Sequence, residues 1–436
     1  MKSRSPRRPR VPSQQTIANP IRDFEIEDLS YEGDGVAREN GKVTFVANAL
    51  VGEQVKGRLT KETRNLNHAQ LIQVLVPSPD RQAPFCEHFD ECGGCQLQHL
   101  TVSAQRDVKV KWLRNHLRNI ETPSEVTRLT SDDFGYRRRA RMSVFVKQGN
   151  VRLGFRSKAS KDIVDINQCP VFVESLQQAY SAFRKAFLTS SLAGKIGHVE
   201  LLQDANGVSI LLRQSRSVSD DERLSLNDWA HTNGITLYWQ PPEDERLKGD
   251  ALHHYFVDDV RIHFHPQDFI QVNERINDAM VAQAMEWLKL TKDDVMLDLF
   301  CGAGNFSLPL AKRVAQVIAV EALESMVDKG RFNAKQANLE NVEFIAADLT
   351  QSPPNKIKKA KISKVLLDPP RAGAFEFLPT LVRLKPESIL YVSCNASTLA
   401  RDVEYLVENG FRVTRVCMMD MFPQTTHIET MMLLQK

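Results

Sequence analysis

A multidomain α/β protein is the fold class this sequence predicts, and three observations predict it. The chain has 436 residues, enough for two to four domains at roughly 100–200 residues each. Short alternating apolar strands with glycine turns fill the stretch before residue 80. From residue 276 onward, apolar runs alternate with helical segments, the pattern of a doubly wound parallel sheet. Hydrophobic residues make up 42 % and charged residues 25 %. Those ordinary values exclude a mainly disordered, collagen-like or disulfide-stapled chain.

Residues 1–14 are read as a basic disordered tail. Its start, MKSRSPRRPR, carries five Lys/Arg and no acid. Subtracting five from the net charge of +3 leaves −2 for the other 426 residues. Nucleic-acid binding must therefore be argued from local patches. No apolar run approaches a membrane span, and no apolar segment of a signal peptide follows the tail. A cytoplasmic protein with no membrane partner is expected, its seven cysteines reduced.

Residues 15–80 are predicted to form a small β-barrel of the OB kind. KVTFVANA alternates, EQVKGRL and AQLIQVLV follow, and glycines punctuate them. Phe24, Tyr31 and Phe45 are candidate platforms for stacking bases.

Residues 81–97 contain a cysteine loop, PFCEHFDECGGC. Cys86, Cys92 and Cys95 follow a C-x5-C-x2-C spacing, and Cys169 before Pro170 is the natural fourth thiol. Close thiols around Gly93-Gly94 suit a metal or cluster site, and spacing alone leaves zinc and iron–sulfur equally open.

Residues 98–275 are read as one helix plus a β-rich domain. In VSAQRDVKVKWLRNHLRNI, an apolar stripe of Val108, Trp112, Leu113, Leu117 and Ile120 predicts a helix. Lys109, Lys111, Arg114 and Arg118 are assigned to its solvated face. Arg137, Arg138, Arg139 and Arg141 beside Tyr136 are candidate phosphate contacts. His253, His254, His263 and His265 are read as satisfied strand histidines rather than metal ligands.

Residues 276–436 carry the chemistry, because ligands of such sheets bind at the carboxyl ends of the strands. DLFCGAGNF joins a strand to a helix, with Gly302 and Gly304 in the turn and Glu321 twenty-three residues after Asp298. The third glycine of the dinucleotide fingerprint would fall at Ser307, so the NAD pattern fails. An acid-rich loop suits a cationic sulfonium cofactor instead, with Asp348 at the next strand end. Arg371 follows Asp368-Pro369-Pro370 where a base-stacking aromatic would indicate amino-group methylation. Cys394 ends the fifth strand, and Glu429 precedes the last apolar run. A thiol and a base facing a methyl donor suit uracil C5: thiolate addition to C6 activates C5, and the base later removes the C5 proton. Cys301 and Cys417 are read as structural.

The motifs FIQVN, DLFCGAGNFSLPLA, LLDPPRAG, YVSCN and QTTHIETMMLL together resemble those of the RNA uracil-C5 methyltransferases. The resemblance covers nearly the whole chain after residue 14. It implies an N-terminal TRAM domain, which EGDGVAREN matches, a central β-rich domain with an iron–sulfur site, and a Rossmann-like catalytic domain at 276–436. It implies S-adenosylmethionine as cofactor, bound by Gln271, Phe300, Asn305, Glu321, Asp348 and Asp368. It implies Cys394 as nucleophile, Glu429 as base, and a [4Fe–4S] cluster on Cys86, Cys92, Cys95 and Cys169. The implied substrate is 23S ribosomal RNA, its uridine 1939 flipped from the stack, with the enzyme acting as a monomer. Competing readings are the same chemistry on transfer RNA or another ribosomal uridine, a catalytically silent RNA-binding or assembly factor, and a radical enzyme.

Overall fold

The computed structural model describes residues 20–436 except 40, 159, 245, 248–252 and 352. The basic tail at 1–14 lies outside the described residues, as does the start of the 15–80 segment. The chain divides into two compact units: residues up to 83 with 99–101, and 84–98 with 102–436. Among the described residues, no helix is long and apolar enough to cross a membrane.

Among its described residues the first unit holds six strands, β1 (Ile21–Glu25), β2 (Asp28–Leu29), β3 (Gly35–Glu39), β4 (Lys42–Ala47), β5 (Gln54–Glu62) and β6 (Leu66–Val76). They form one sheet in the order β1-β5-β6-β4-β3-β2, with β4 parallel to β6. Alternation puts Phe24, Val46, Val55 and Leu59 into a common core. Phe24 is buried there at 3 % exposure, so it is not a stacking platform. Gly57 lies under its ring, where a Cβ would come within 2.9 Å of it. Phe45 is half-buried beside His68, and Tyr31 is exposed.

The second unit begins with the cysteine loop and α1 (Val102–His116). The sheet β10-β9-β8-β11-β12-β13 follows, built from β8 (Arg139–Lys147), β9 (Asn150–Arg156), β10 (Ile163–Asp165), β11 (Ile196–Asp204), β12 (Gly207–Gln214) and β13 (Ile235–Gln240). Helices α2 (Glu174–Leu188) and α3 (Asp220–Thr232) cover it. A hairpin, β14 (His253–Val257) and β15 (Val260–Phe264), leads on to α4 (Glu274–Leu288).

The last sheet has eight strands. Five are parallel: β16 (Val295–Leu299), β17 (Gln316–Glu321), β18 (Val342–Ala346), β19 (Lys364–Leu367) and β20 (Ser388–Ser393). Two more, β21 (Arg412–Met419) and β22 (Glu429–Gln435), form an antiparallel pair beyond β20. The order is β18-β17-β16-β19-β20-β22-β21-β7. The edge strand β7 (Thr127–Leu129) comes from far upstream in sequence. The winding reverses between β16 and β19, and that switch point is where an open sheet binds its ligand.

Helix α1 departs from its expected facing. Lys109 falls between Trp112 and Leu113 on the helical wheel and is fully buried. Its Nζ donates to Asp420 Oδ1 at 2.7 Å and to the Phe422 carbonyl at 3.1 Å. A buried ammonium is tolerable only with such a partner. His253 behaves as a satisfied strand histidine, whereas His265 lies just past the hairpin with its Nε2 buried and, among the described residues, unpartnered. His253 Nδ1 lies 2.9 Å from Asp204 Oδ2, and its Nε2 lies 3.0 Å from the Tyr238 hydroxyl.

Candidate active site and cysteine site

A cavity of about 1300 Å³ opens at the carboxyl ends of the parallel strands. The loop after β16 forms one wall. Phe300 has φ 62°, and Gly302 and Gly304 have φ 55° and 102°. Three left-handed residues in five turn the backbone back over the strand ends, and holding Phe300 in that region stores strain. A Cβ on Gly304 would meet Leu308 and Phe344 at 2.9 and 3.1 Å.

Carboxylates from successive strand ends surround this loop. Glu321 is aimed by backbone donors: Gly302 N–H reaches one oxygen at 3.2 Å, and Ala322 and Leu323 N–H reach the other at 2.9 and 3.1 Å. Asp348 accepts from the Thr350 N–H and hydroxyl, which hold its carboxyl below the usual range. Asp298 is 1 % exposed. It accepts from the Ser307 hydroxyl, while its other oxygen is buried with no partner. Burial, with Asp368 and Glu321 nearby, pushes its pKa up to about 7. Burial alone pushes Asp368 up to about 6. Two acids that resist ionisation, with the Glu321 and Asp348 carboxyls beside them, favour a cationic ligand and disfavour a phosphate.

The other implied cofactor residues line the same cavity, Gln271 among them. Gln271 offers its carbonyl to Arg138 Nε at 2.9 Å. Asn305 is tied side chain to side chain with Asn277, at 2.9 and 3.2 Å, and accepts from the Tyr255 hydroxyl at 3.0 Å. Its amide thereby braces the loop.

The reactive end is set by strand register. In the β20–β22 ladder Ser393 pairs with Thr430. One residue beyond this pair lie Cys394 and Glu429, both lining the cavity and close enough for the Glu429 carboxylate to act on the Cys394 thiol. Burial pushes the Cys394 thiol up, as do the Glu429 and Asp368 carboxylates, while the Arg371 guanidinium pulls it down. Burial, with Asp368 adding, pushes Glu429 up to about 8. A carboxyl of that basicity can take a proton from a thiol or a carbon acid near neutrality. The loop between β20 and α5 (Ala396–Glu408) is held without the thiol: Ser393 Oγ accepts from Asn395 N–H, and Asn395 caps the helix at Ser397.

Cys86, Cys92, Cys95 and Cys169 line another wall of the cavity. Burial pushes Cys95 up to about 11 and Cys169 up to about 12, and the neighbouring thiols add to both. Gly93 N–H bonds Arg156 O at 2.9 Å, an approach that a Cβ at Gly93 would obstruct. Gly94 N–H points at Cys92 Sγ from 3.4 Å, and Gln177 holds the Cys169 N–H at 2.8 Å. Among the described residues, no group of three His, Cys, Asp or Glu is placed to hold a single metal ion.

The arginine cluster is not a free phosphate patch. Arg138 is 1 % exposed and pairs with Glu274 at 2.8 Å. Arg139 reaches the Asp268 carbonyl and Glu200. Arg137 donates to the Arg139 carbonyl at 3.0 Å, and both Arg137 and Arg141 line the cavity. Cys301 and Cys417 are buried. Sequence reasoning missed Phe269, an aromatic 77 % exposed beside Gln271 at the cavity wall. It also missed the pins on the turn before Glu429. Polar Gln105 and Lys109, four residues apart on a buried helix face, were the signal for these.

Comparison with known proteins gives two family matches. Residues 101–436 match the model of the tRNA (uracil-5-)-methyltransferases, and residues 21–72 match the TRAM domain. The chain is 50 % identical to the 23S rRNA (uracil(1939)-C(5))-methyltransferase RlmD of Marinomonas sp. (strain MWYL1), over 99 % of this chain and 98 % of that protein. It is 41 % identical to the protein of the same name from Enterobacter sp. (strain 638), over 98 % of each. A solved relative is the Pyrococcus abyssi tRNA (uracil-54, C5)-methyltransferase in complex with S-adenosyl-L-homocysteine. It is 26 % identical with a TM-score of 0.76, covering 94 % of this chain and 99 % of that one.

Proposed function

The chain belongs to the RNA uracil-5 methyltransferase family, and from that premise we propose that it methylates C5 of a uridine in 23S ribosomal RNA, uridine 1939 in its relatives' numbering. The observation that carries the chemistry is the register that sets Cys394 against Glu429 beside an acid-lined loop. When bound, S-adenosylmethionine supplies an electrophilic methyl carbon on a cationic sulfur. Gln271, Phe300, Asn305, Glu321, Asp348 and Asp368 hold it. The Glu321, Asp348 and Asp368 carboxyls that line the cavity fit a positive ligand.

Cys394 gives up its proton to solvent and its sulfur bonds C6 of the uracil. The C5–C6 π pair forms the bond from C5 to the methyl carbon as the bond from that carbon to the donor sulfur breaks, its electron pair leaving on a neutral thioether. Glu429 then removes the C5 proton. That electron pair re-forms the C5–C6 double bond and expels the Cys394 thiolate. The target base must leave its stack to reach the thiol. The enzyme acts in the cytoplasm as a monomer.

Cys86, Cys92, Cys95 and Cys169 hold a [4Fe–4S] cluster. The all-thiol donor set, gathered on one wall with an N–H aimed at sulfur, fits that group. The cluster has no step in the methyl transfer.

Two outcomes test this reading. Methyl label from the donor should appear as 5-methyluridine in 23S RNA of an undermethylated total RNA pool. The same nucleoside in transfer RNA alone would keep the chemistry and overturn the target, and no label at all would favour a silent RNA-binding factor. The carboxyls pushed up to about 7 and 6 ionise between pH 5.5 and 8. Preference for S-adenosylmethionine over its uncharged product should therefore grow about 3- to 10-fold across that range. Calorimetric titration of both ligands at the two pH values measures it, and a flat ratio would remove the carboxylates from cation recognition.

A further inference from the structure

The turn between β21 and β22, residues 420–428, carries the chain to Glu429, and two segments that bear cysteines are fastened to it. Directly after Cys95, the N–H groups of Gln96 and Leu97 both donate to the Gln424 carbonyl at 3.0 Å. The Gln424 side chain and N–H close a reciprocal pair with Gln105. Gln105 Nε2 donates to Gln424 Oε1 at 2.9 Å, and Gln424 N–H donates to Gln105 Oε1 at 3.0 Å. Gln105 also returns to the cysteine loop by donating to the Leu97 carbonyl at 2.9 Å. The free end of the Gln424 amide donates to Asp133 O at 3.3 Å. Gln424 is 0 % exposed and has φ 72°. A non-glycine residue in that region persists only where its surroundings hold it.

The second segment starts at Cys169. Pro170 and Val171 carbonyls accept from Gly135 and Arg137 N–H at 3.1 and 2.8 Å. Tyr136, between them, donates its buried hydroxyl to the Pro423 carbonyl at 3.1 Å. The stretches adjoining Cys95 and Cys169 thus end on two consecutive carbonyls of the same turn. Lys109 takes the next carbonyl back, that of Phe422, at 3.1 Å. Asn273 takes that of Met421 at 3.3 Å.

We infer that Gln424 is a positioning residue through which the cysteine site fixes the turn that presents Glu429, so that whatever the four thiols hold governs the base-dependent release step rather than methyl transfer. This rests on the reading of the cysteine site and of Glu429 given above. A flexible cysteine loop leaves the 423 and 424 carbonyls held at one end only. A loop closed on a bound group makes them fixed points, and Glu429 lies only five residues beyond Gln424. Fixing a catalytic group to within a fraction of an ångström is worth large factors in rate.

The experiment uses the full chain as purified, with iron assayed first; a preparation that never carries iron defeats the cluster reading, and the adduct fraction of Gln424→Ala against wild type then decides this one alone. Hydrogen–deuterium exchange is then compared before and after iron is stripped with a chelator. Amides of 422–428 should exchange at least tenfold faster after stripping, together with 84–98, while the β16–β19 core is unchanged. Unchanged exchange at 422–428 would overturn the inference. Should stripping unfold the chain, Gln424→Ala in the iron-loaded protein decides. It should raise the fraction of enzyme trapped as the RNA adduct about tenfold and speed iron loss to the chelator, with KM for RNA within twofold. Tyr136→Phe should show the same signature more weakly. A Gln424→Ala enzyme that releases product normally, or that loses adduct formation and release equally, would make Gln424 a stability residue only.

Discussion

Replacing Cys394 with alanine should abolish methyl transfer, by at least about 10⁴-fold, and leave cofactor binding within about twofold. No other group in the cavity can replace the sulfur. Cys301 and Cys417 are buried, and the other four thiols are assigned to the cluster site. Without addition at C6, uracil C5 does not attack a methyl group at a useful rate. The fold should tolerate the change, because the Ser393 hydroxyl and the Asn395 cap hold the loop. A melting temperature within about 2 °C of wild type is expected, as for a substitution that breaks no buried bond. Labelled-donor turnover, a cofactor titration and a melting curve on one preparation check all three. Near-normal turnover would remove the thiol route.

The catalytic half was legible because its chemistry sits at strand ends. Apolar runs locate β16 to β20, and each of the five ends within two residues of a candidate acid or thiol: Asp298, Glu321, Asp348, Asp368 and Cys394. Pairing of the last strand was not legible. Nothing local says that β22 inserts between β20 and β21, yet that insertion pairs Ser393 with Thr430 and so brings Glu429 to the Cys394 end of β20. The two errors share one cause. Lys109 and Arg138 read as solvent-facing cations because charge is normally exposed. Each is buried against a partner far away in sequence, Asp420 for Lys109 and the Gln271 carbonyl with Glu274 for Arg138. Long-range ion pairs override local patterns, and a single sequence does not reveal them. Phe24 failed differently. An aromatic on a short strand has two faces to choose from, and the glycine beneath its ring decided for the core.

Glu429→Gln should separate the two halves of the reaction. The amide keeps the shape of the side chain but cannot take a proton, so methyl transfer proceeds and release does not. Turnover should fall about 10²–10⁴-fold. A protein–RNA adduct carrying the donor's methyl label should accumulate on a denaturing gel. In the wild type, burial and Asp368 hold the carboxyl protonated up to about pH 8. Release should therefore quicken with rising pH up to that value, and the glutamine enzyme should lack the dependence. Stability gives an independent check with a defined sign. A carboxyl raised from its ordinary value of 4.5 to about 8 in the fold costs the wild type stability as pH rises between those two values. The glutamine variant escapes that loss, so its melting temperature should match wild type near pH 4 and exceed it near pH 8.5. An inactive variant with no adduct would move the base elsewhere. The nearest other candidate is His427, which lines the same cavity with its imidazole pulled down by burial and by Arg371. Adduct accumulation in His427→Ala, and not in Glu429→Gln, would transfer the role to the imidazole.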